Sequence, residues 1–439
     1  MSSSNFEEFL TKVTSKVKAK EARSMIKKEL IHHLQELSHS FQQKTASKEE
    51  ADERAIQEMG NPFTLGENLN RLHRPKIDWL LIALFVIIAG NSFLPLIHGN
   101  LAMSLPSTFY FSRQAIWLTL AVVAIVAFLF FDYRKLKNYW WLFYGSGLIL
   151  LLYTYLFGLM KLNAVRWISI AGMSVDSSAI ALFLFFLAWA GIFHNINTFN
   201  SWKKQALLVM LFWAPILLYM MLPHIVLSII YCFCILAMFA CSHVQKKLAL
   251  TLVATNLLMG ILLLSTTPLA SNSEYHLKRL SDFMNPETDP NGVGYIYILV
   301  GDILSQAGWL GNGFSNHFIS RLPAAHTDYV FPFLVYSFGW AFGIALCLIL
   351  LLFIVRISRN AFKTKDRYGR LLVIGGAALI AVPTCWNILM GIGFVPIMEV
   401  SLPFISYGGS MLLVNSGILG LILSVYRRKD LVNPTIIHS

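Results

Sequence analysis

The chain has 439 residues, 56% of them hydrophobic and only 13% charged, with a mean hydropathy of +0.60. A soluble domain carries roughly twice that charge fraction, so the composition excludes a water-soluble enzyme or binding module and points to a polytopic membrane protein. The net charge of +12 does not point to nucleic acid, because most Lys and Arg flank apolar runs, where they orient spans in a membrane.

Residues 1–74 differ from everything that follows. They are rich in Lys, Glu, Gln and Ser, and no apolar run of a signal peptide opens them. Their sparse apolar residues fall at helical spacing: Phe6, Leu10, Val13 and Val17 on one face, Ile26, Leu30 and Leu34 on another. Ser47-Lys48-Glu49-Glu50 reads as a helix start and Gly60-Asn61-Pro62 as a stop. A small cytosolic bundle of about three helices is expected. The run from His32-His33 to Pro62 resembles the short prefix domains found before some Gram-positive permeases and signalling proteins, and His32 and His33, being adjacent, face different sides of a helix as surface residues.

Ten apolar segments follow, each near the roughly 20 residues that a helical span needs: 77–97, 114–132, 139–160, 177–194, 205–222, 224–242, 248–266, 330–355, 371–392 and 405–426. Basic residues alternate between the gaps. Arg134, Lys135 and Lys137 follow the second span, Lys203 and Lys204 the fourth, Lys246 and Lys247 the sixth. Six more lie between Arg356 and Arg370, and Arg427, Arg428 and Lys429 follow the last span. The positive-inside rule then puts both termini, including a 431–439 tail, in the cytoplasm, and the long 267–329 loop outside. Cys232, Cys234, Cys241, Cys347 and Cys385 all lie in apolar segments, without metal spacing, and read as small buried hydrophobes.

Three motifs fall on the external side. Lys161 and Asn163-Ala164-Val165-Arg166-Trp167-Ile168 follow the third span. Arg166 and Trp167 read either as an interfacial anchor pair or as a guanidinium that holds phosphate bidentately with Lys161 nearby. The second motif is the loop from Gly308 to Asp328, with Gly308-Trp309-Leu310-Gly311-Asn312-Gly313-Phe314 and Leu322-Pro323-Ala324-Ala325-His326-Thr327-Asp328-Tyr329-Val330-Phe331. An acid at the lip of an apolar span reads as functional; alternatively Thr327 or Asp328 caps the helix that follows. The third is Leu402-Pro403-Phe404-Ile405-Ser406-Tyr407-Gly408-Gly409-Ser410. Its glycines permit either close approach of a ligand or tight helix packing.

Taken together and in this order, the motifs resemble the SEDS family, the FtsW, RodA and SpoVE proteins of bacterial wall synthesis. Leu322 to Phe331 looks like that family's LPE-x-HTDFIF, Leu402 to Ser410 like its LPFISYGGS, and Asn163 to Ile168 like its GA-x-RWI, while Asn387 and Pro396 fit the stretch before the last span. The resemblance covers about 77–430 and implies an all-α bundle of about ten transmembrane helices over 75–430, joined to the 1–74 domain, in the cell membrane. It implies a lipid II polymerase, a peptidoglycan glycosyltransferase of division, elongation or sporulation, that releases undecaprenyl diphosphate. Partners implied are a class B penicillin-binding protein and other divisome or elongasome proteins. Asp328 would be catalytic. Arg166, Lys161, Trp167, His326, Thr327, Ser406, Tyr407, Gly408, Gly409 and Ser410 would bind substrate, with a divalent cation (Mg or Mn) as a further candidate. A lipid-linked precursor flippase and a non-catalytic scaffold are the alternative functions. The chain departs from the family pattern at several points. Tyr336-Ser337 replaces a Glu-Glu pair, Val175-Asp176-Ser177-Ser178 a QPSE run with Ala181 at its lysine, Pro223-His224-Ile225-Val226-Leu227 a PDLGT run, and Glu399 a glycine.

Overall fold

The structure is a computed structural model that describes residues 4–18, 20–43, 47–72, 76–97, 106–161, 164–170, 173–222, 224–266, 281, 283–292, 294–314 and 321–429. It is all-α apart from one small sheet, and falls into two compact units, Met1–Ile77 with Tyr426–Ser439, and Asp78–Val425.

In the first unit, four helices form where about three are expected: α1 (Ser4–Ser15), α2 (Lys20–Gln42), α3 (Lys48–Glu58) and α4 (Pro62–Leu72). Phe6, Leu10, Val13 and Val17 share a core with Ile26, Leu30 and Leu34. The additional boundary comes from Gly60, whose φ of 75° ends α3, and from Pro62, which opens α4.

In the second unit, ten helices occupy the ten expected apolar segments. They are α5 (Trp79–Gly90, prolonged by a 3-10 turn to Leu96), α6 (Ser107–Phe130), α7 (Trp140–Phe157), α8 (Ser177–His194), α9 (Trp202–Met221), α10 (Ile225–Ala240) and α11 (Lys246–Thr266). After a short apolar helix α12 (Gly294–Ser305) come α13 (Val330–Phe362), α14 (Arg367–Gly391) and α15 (Gly409–Arg428). Among the described residues eight helices are long and apolar enough to cross a membrane, and α10 is a shorter apolar one. The protein is therefore a multi-pass membrane protein. Helix α8 lies at the centre, 78% of its span buried against 11% for α6, and packs on α7, α10 and α14. Small residues allow this: a Cβ on Gly147 would lie 2.8 Å from the Phe185 ring, and one on Gly375 would lie 2.7 Å from Met238 Sδ.

Two features were not expected from the sequence. Between α7 and α8 the chain forms an antiparallel meander, β1 (Leu159–Lys161), β2 (Ala164–Ile170) and β3 (Met173–Asp176), in place of a plain loop. Helix α13 is also broken at Gly339, whose φ is 87°. The segment 308–313 fills the break. Asn312 N donates to Tyr336 O at 2.9 Å and Gly313 N to Ser337 O at 3.0 Å, while Trp340 N donates to Gly308 O and Ala341 N to Trp309 O. An unpaired backbone group costs several kcal/mol in lipid, so the loop replaces the bonds that the helix lacks. Gly311 and Gly339 thus serve close approach of backbone to backbone: a Cβ on Gly311 would lie 2.4 Å from Ser337 O, and one on Gly339 would lie 2.2 Å from Trp309 O. Among the cysteines, Cys234 is buried as expected, but Cys385 is exposed on α14.

Candidate active site

The site grows from the turn before α13. Leu322 and Ala325 are buried, and Ala324 takes a left-handed φ of 48°, which bends the chain so that His326, Thr327 and Asp328 stand at the mouth of the helix. Among the described residues no side chain caps the start of α13. Its N-cap is Tyr329, and Thr327 Oγ1 donates instead to Ala324 O at 3.2 Å. The capping alternative for Thr327 and Asp328 therefore falls away.

A second segment zips onto this turn. Ser406 Oγ donates to Thr327 O at 2.5 Å and accepts from Leu402 N at 2.7 Å, and Tyr407 N donates to His326 O at 2.8 Å. Asn387, on α14, donates through Nδ2 to Asp328 O at 2.8 Å and to Val400 O at 2.6 Å. Phe404 holds a left-handed φ of 65° because its ring is wedged between Phe85 and Phe353, at 5.3 and 5.9 Å. The rings of Tyr110, His326 and Tyr407 pack edge-on or tilted within 5.3–5.6 Å of one another.

The meander supplies the cation. Trp167 on β2 faces Asp176 on β3 in register. Ser177 Oγ donates to Arg166 O at 2.9 Å, and Asp176 N donates to Ser410 Oγ at 3.0 Å, joining the sheet to the start of α15. The Arg166 guanidinium lies 4.1 Å from the Trp167 ring centroid. Its Nη1 donates to Glu399 Oε2 at 2.8 Å and to His224 Nε2 at 2.9 Å. Because arginine can only donate, His224 accepts with a neutral ring. Burial, aided by the Arg166 charge, pushes the His224 pKa down to about 3.

These groups line one cavity of about 410 Å³. Burial pushes the Asp328 carboxyl up to about 7, with Glu399 adding to the rise and Arg166 opposing it. Burial also raises Asp176, against the pull of Arg166, and lowers His326. The cavity thus pairs a carboxyl that exchanges its proton near neutrality with a fixed guanidinium.

Arg166, Trp167, His326, Thr327, Asp328, Ser406, Tyr407, Gly408, Gly409 and Ser410, read from three distant segments, all line it. The Lys161 side chain lies outside the described residues, though its backbone ends β1 opposite Ala164. Gly409 also serves packing, since a Cβ there would lie 2.2 Å from the Trp117 ring. Asp176, His224 and Glu399, which in the chain stand where it departs from the family pattern, join the lining. That the three departures from the pattern surround a single arginine is visible only in three dimensions. Among the described residues no group of three His, Cys, Asp or Glu side chains is gathered to hold a metal ion.

A helical membrane bundle in which the meander, the turn before α13 and the segment before α15 enclose one cavity lined by charged groups defines a polytopic membrane protein with a chemically equipped pocket. Residues 77–431 match the family model described as "Cell cycle protein", the FtsW, RodA and SpoVE family, and the chain belongs to that family. Among curated relatives, it is 29% identical to the "Probable peptidoglycan glycosyltransferase FtsW" of Francisella salina over 75% of this chain and 84% of that one. It is 27% identical to the protein of the same name from Enterococcus hirae, over 81% and 93%. Two solved structures share the fold. One comes from work on "Structural coordination of polymerization and crosslinking by a peptidoglycan synthase complex" (TM-score 0.66, 22% identity, 80% of this chain and 98% of that one). The other is the rod shape determining protein RodA of Thermus thermophilus (TM-score 0.57, 21% identity, 80% and 97%).

Proposed function

We propose that this protein is a peptidoglycan glycosyltransferase that polymerises lipid II at the outer face of the membrane. Its relatives carry that activity in their names. The observation that carries the reading is the single cavity uniting Asp328 with Arg166. The acceptor sugar hydroxyl attacks the anomeric carbon of the donor, the bond from that carbon to the diphosphate oxygen breaks, and undecaprenyl diphosphate leaves with the bonding pair. Asp328 takes the hydroxyl proton as general base, a role that suits a carboxyl whose pKa lies near 7. Arg166 stabilises the charge that develops on the leaving diphosphate, with Lys161 at the end of β1 adding to it. His326, Thr327 and Ser406 to Ser410 shape the acceptor side, and Trp167 carries the guanidinium.

The membrane arrangement belongs to the same proposal: both termini cytoplasmic, the 267–329 loop and the cavity external. The support is that Arg166, Asp328 and Ser410 lie together, while Tyr133, which precedes Arg134 and Lys135, stacks on Tyr368 at the other ends of their helices. A partner that crosslinks the nascent glycan, of the class B penicillin-binding type, fits a fold shared with a peptidoglycan synthase complex.

The test is polymerisation of lipid II by the purified full-length protein, alone and with its transpeptidase partner. Glycan chains are expected from the wild type and none from Asp328→Ala. Chains made equally well by Asp328→Ala would remove the general-base role, and transport of lipid II without any polymer would turn the reading towards a flippase.

A further inference from the structure

Arg166 is already engaged. Its Nη1 donates to the Glu399 carboxylate at 2.8 Å, and this is the charge-assisted bond that a diphosphate oxygen takes in the function proposed above. The two partners are held unequally. The Arg166 side chain is 16% exposed and rests on the Trp167 ring, whereas that of Glu399 is 43% exposed. Glu399 stands on the irregular segment 396–402 between α14 and α15. The cation is the more buried of the two and the anion the more exposed.

We infer that Glu399 is a built-in competitor for Arg166, a carboxylate that occupies the guanidinium until a lipid-linked diphosphate displaces it. This inference rests on the proposed role of Arg166 toward the leaving group. The exchange is favourable on three grounds. A diphosphate brings more negative charge to Arg166 than one carboxylate does. Glu399 engages the guanidinium at Nη1, whereas a ligand with several oxygens can bond Nη1 and Nη2 together in one plane. The displaced carboxylate, already 43% exposed, moves toward water at little desolvation cost. His224 stays behind as a neutral acceptor at 2.9 Å and keeps the guanidinium in place through the exchange. Glu399 thereby sets the affinity of the donor site.

The experiment measures binding of undecaprenyl diphosphate to the full-length protein in detergent, by thermophoresis, for the wild type, Glu399→Gln and Glu399→Gly. Both variants remove the charge, and they differ in bulk. Kd is expected to tighten by about tenfold in each, the scale of one charge-assisted bond. The gain should vanish in the Arg166→Ala, Glu399→Gln double variant. Unchanged or weaker binding in both single variants overturns the inference, because Glu399 would then support the ligand or be indifferent to it. Melting curves confirm that each variant is folded. Polymerisation is scored separately. A wild type that binds but makes no glycan removes the proposed activity and leaves the competition standing, whereas absence of binding in every variant overturns both.

Discussion

Asp328 stands under opposing influences whose sum decides when it can act. Burial is the largest and raises its pKa, Glu399 raises it further and Arg166 lowers it, to give about 7. A general base works in its ionised form, so kcat/KM should climb as pH rises through about 7 and level off above it. Glu399→Gln removes a raising influence and should move that limb to lower pH; Arg166→Ala should move it to higher pH. A pH series on the three proteins checks this, and a limb that stays put in both variants shows that another group titrates. The same shift has a stability consequence. A carboxyl whose folded pKa lies above its unfolded value costs stability once both states are ionised, and the cost fades as pH falls from about 7 towards the unfolded range near 4. Asp328→Asn should therefore melt above the wild type at pH 8, and the gap should close on acidification. Arg166 itself is tested by chemistry: Arg166→Ala should lower kcat/KM for lipid II by roughly ten- to a hundredfold. Arg166→Lys should fall between, since it keeps the charge but loses the planar fork. Equal kcat/KM in all three forms would mean that Arg166 only anchors the sheet.

At the scale of elements, hydropathy announced the spans but not their interruptions. The run from Phe333 to Val355 carries no charged residue, and nothing in its composition marks Gly339 as a break, because the break is made by a different segment. Gly308 to Gly313 supplies the missing backbone partners, a pairing that no local periodicity encodes. Gly339→Ala and Gly311→Ala should each detach the loop, since both need a left-handed φ and a Cβ at either would lie within 2.5 Å of the opposing backbone. The expected result is a lower melting temperature and faster proteolysis within 308–314. Resistance equal to wild type would show that the clamp contributes nothing to the fold. The meander was missed for a related reason. Ala164-Val165-Arg166-Trp167-Ile168-Ser169-Ile170 carries β-branched and aromatic residues at strand-like density, but it is short and lies between spans, where a loop is the default.

Over the whole molecule, the arrangement in the membrane is the cheapest property to test. In a background without cysteine, a cysteine at Asn291 should react with an impermeant maleimide on intact cells. One at Lys363 should react only after permeabilisation. The reverse pattern would put the cavity on the cytoplasmic side, away from any external glycan acceptor. The four helices of 4–72 hold none of the cavity residues, and with a core this small such a domain is marginally stable alone. Deletion of residues 1–70 should leave polymerisation in detergent within about twofold of wild type and change localisation or partner recovery in cells. A folded truncation without activity would make this domain part of the catalytic machine.

The amino-acid sequence by itself determined the class of the protein, because the cost of placing polar backbone and side chains in lipid leaves helices of about 20 apolar residues as the available solution. It also determined the residues at the cavity mouth that come in contiguous motifs, such as His326-Thr327-Asp328 and Ser406-Tyr407-Gly408, since neighbours in the chain remain neighbours in the turn. Tertiary structure alone decided which motifs meet. Arg166 acquires its partners from positions 224 and 399, tens to hundreds of residues away, and the pKa of Asp328 follows from the burial and charges that those meetings create. Side-chain identity carries the charge of each group. Its strength depends on distance and dielectric, and both are properties of the folded bundle.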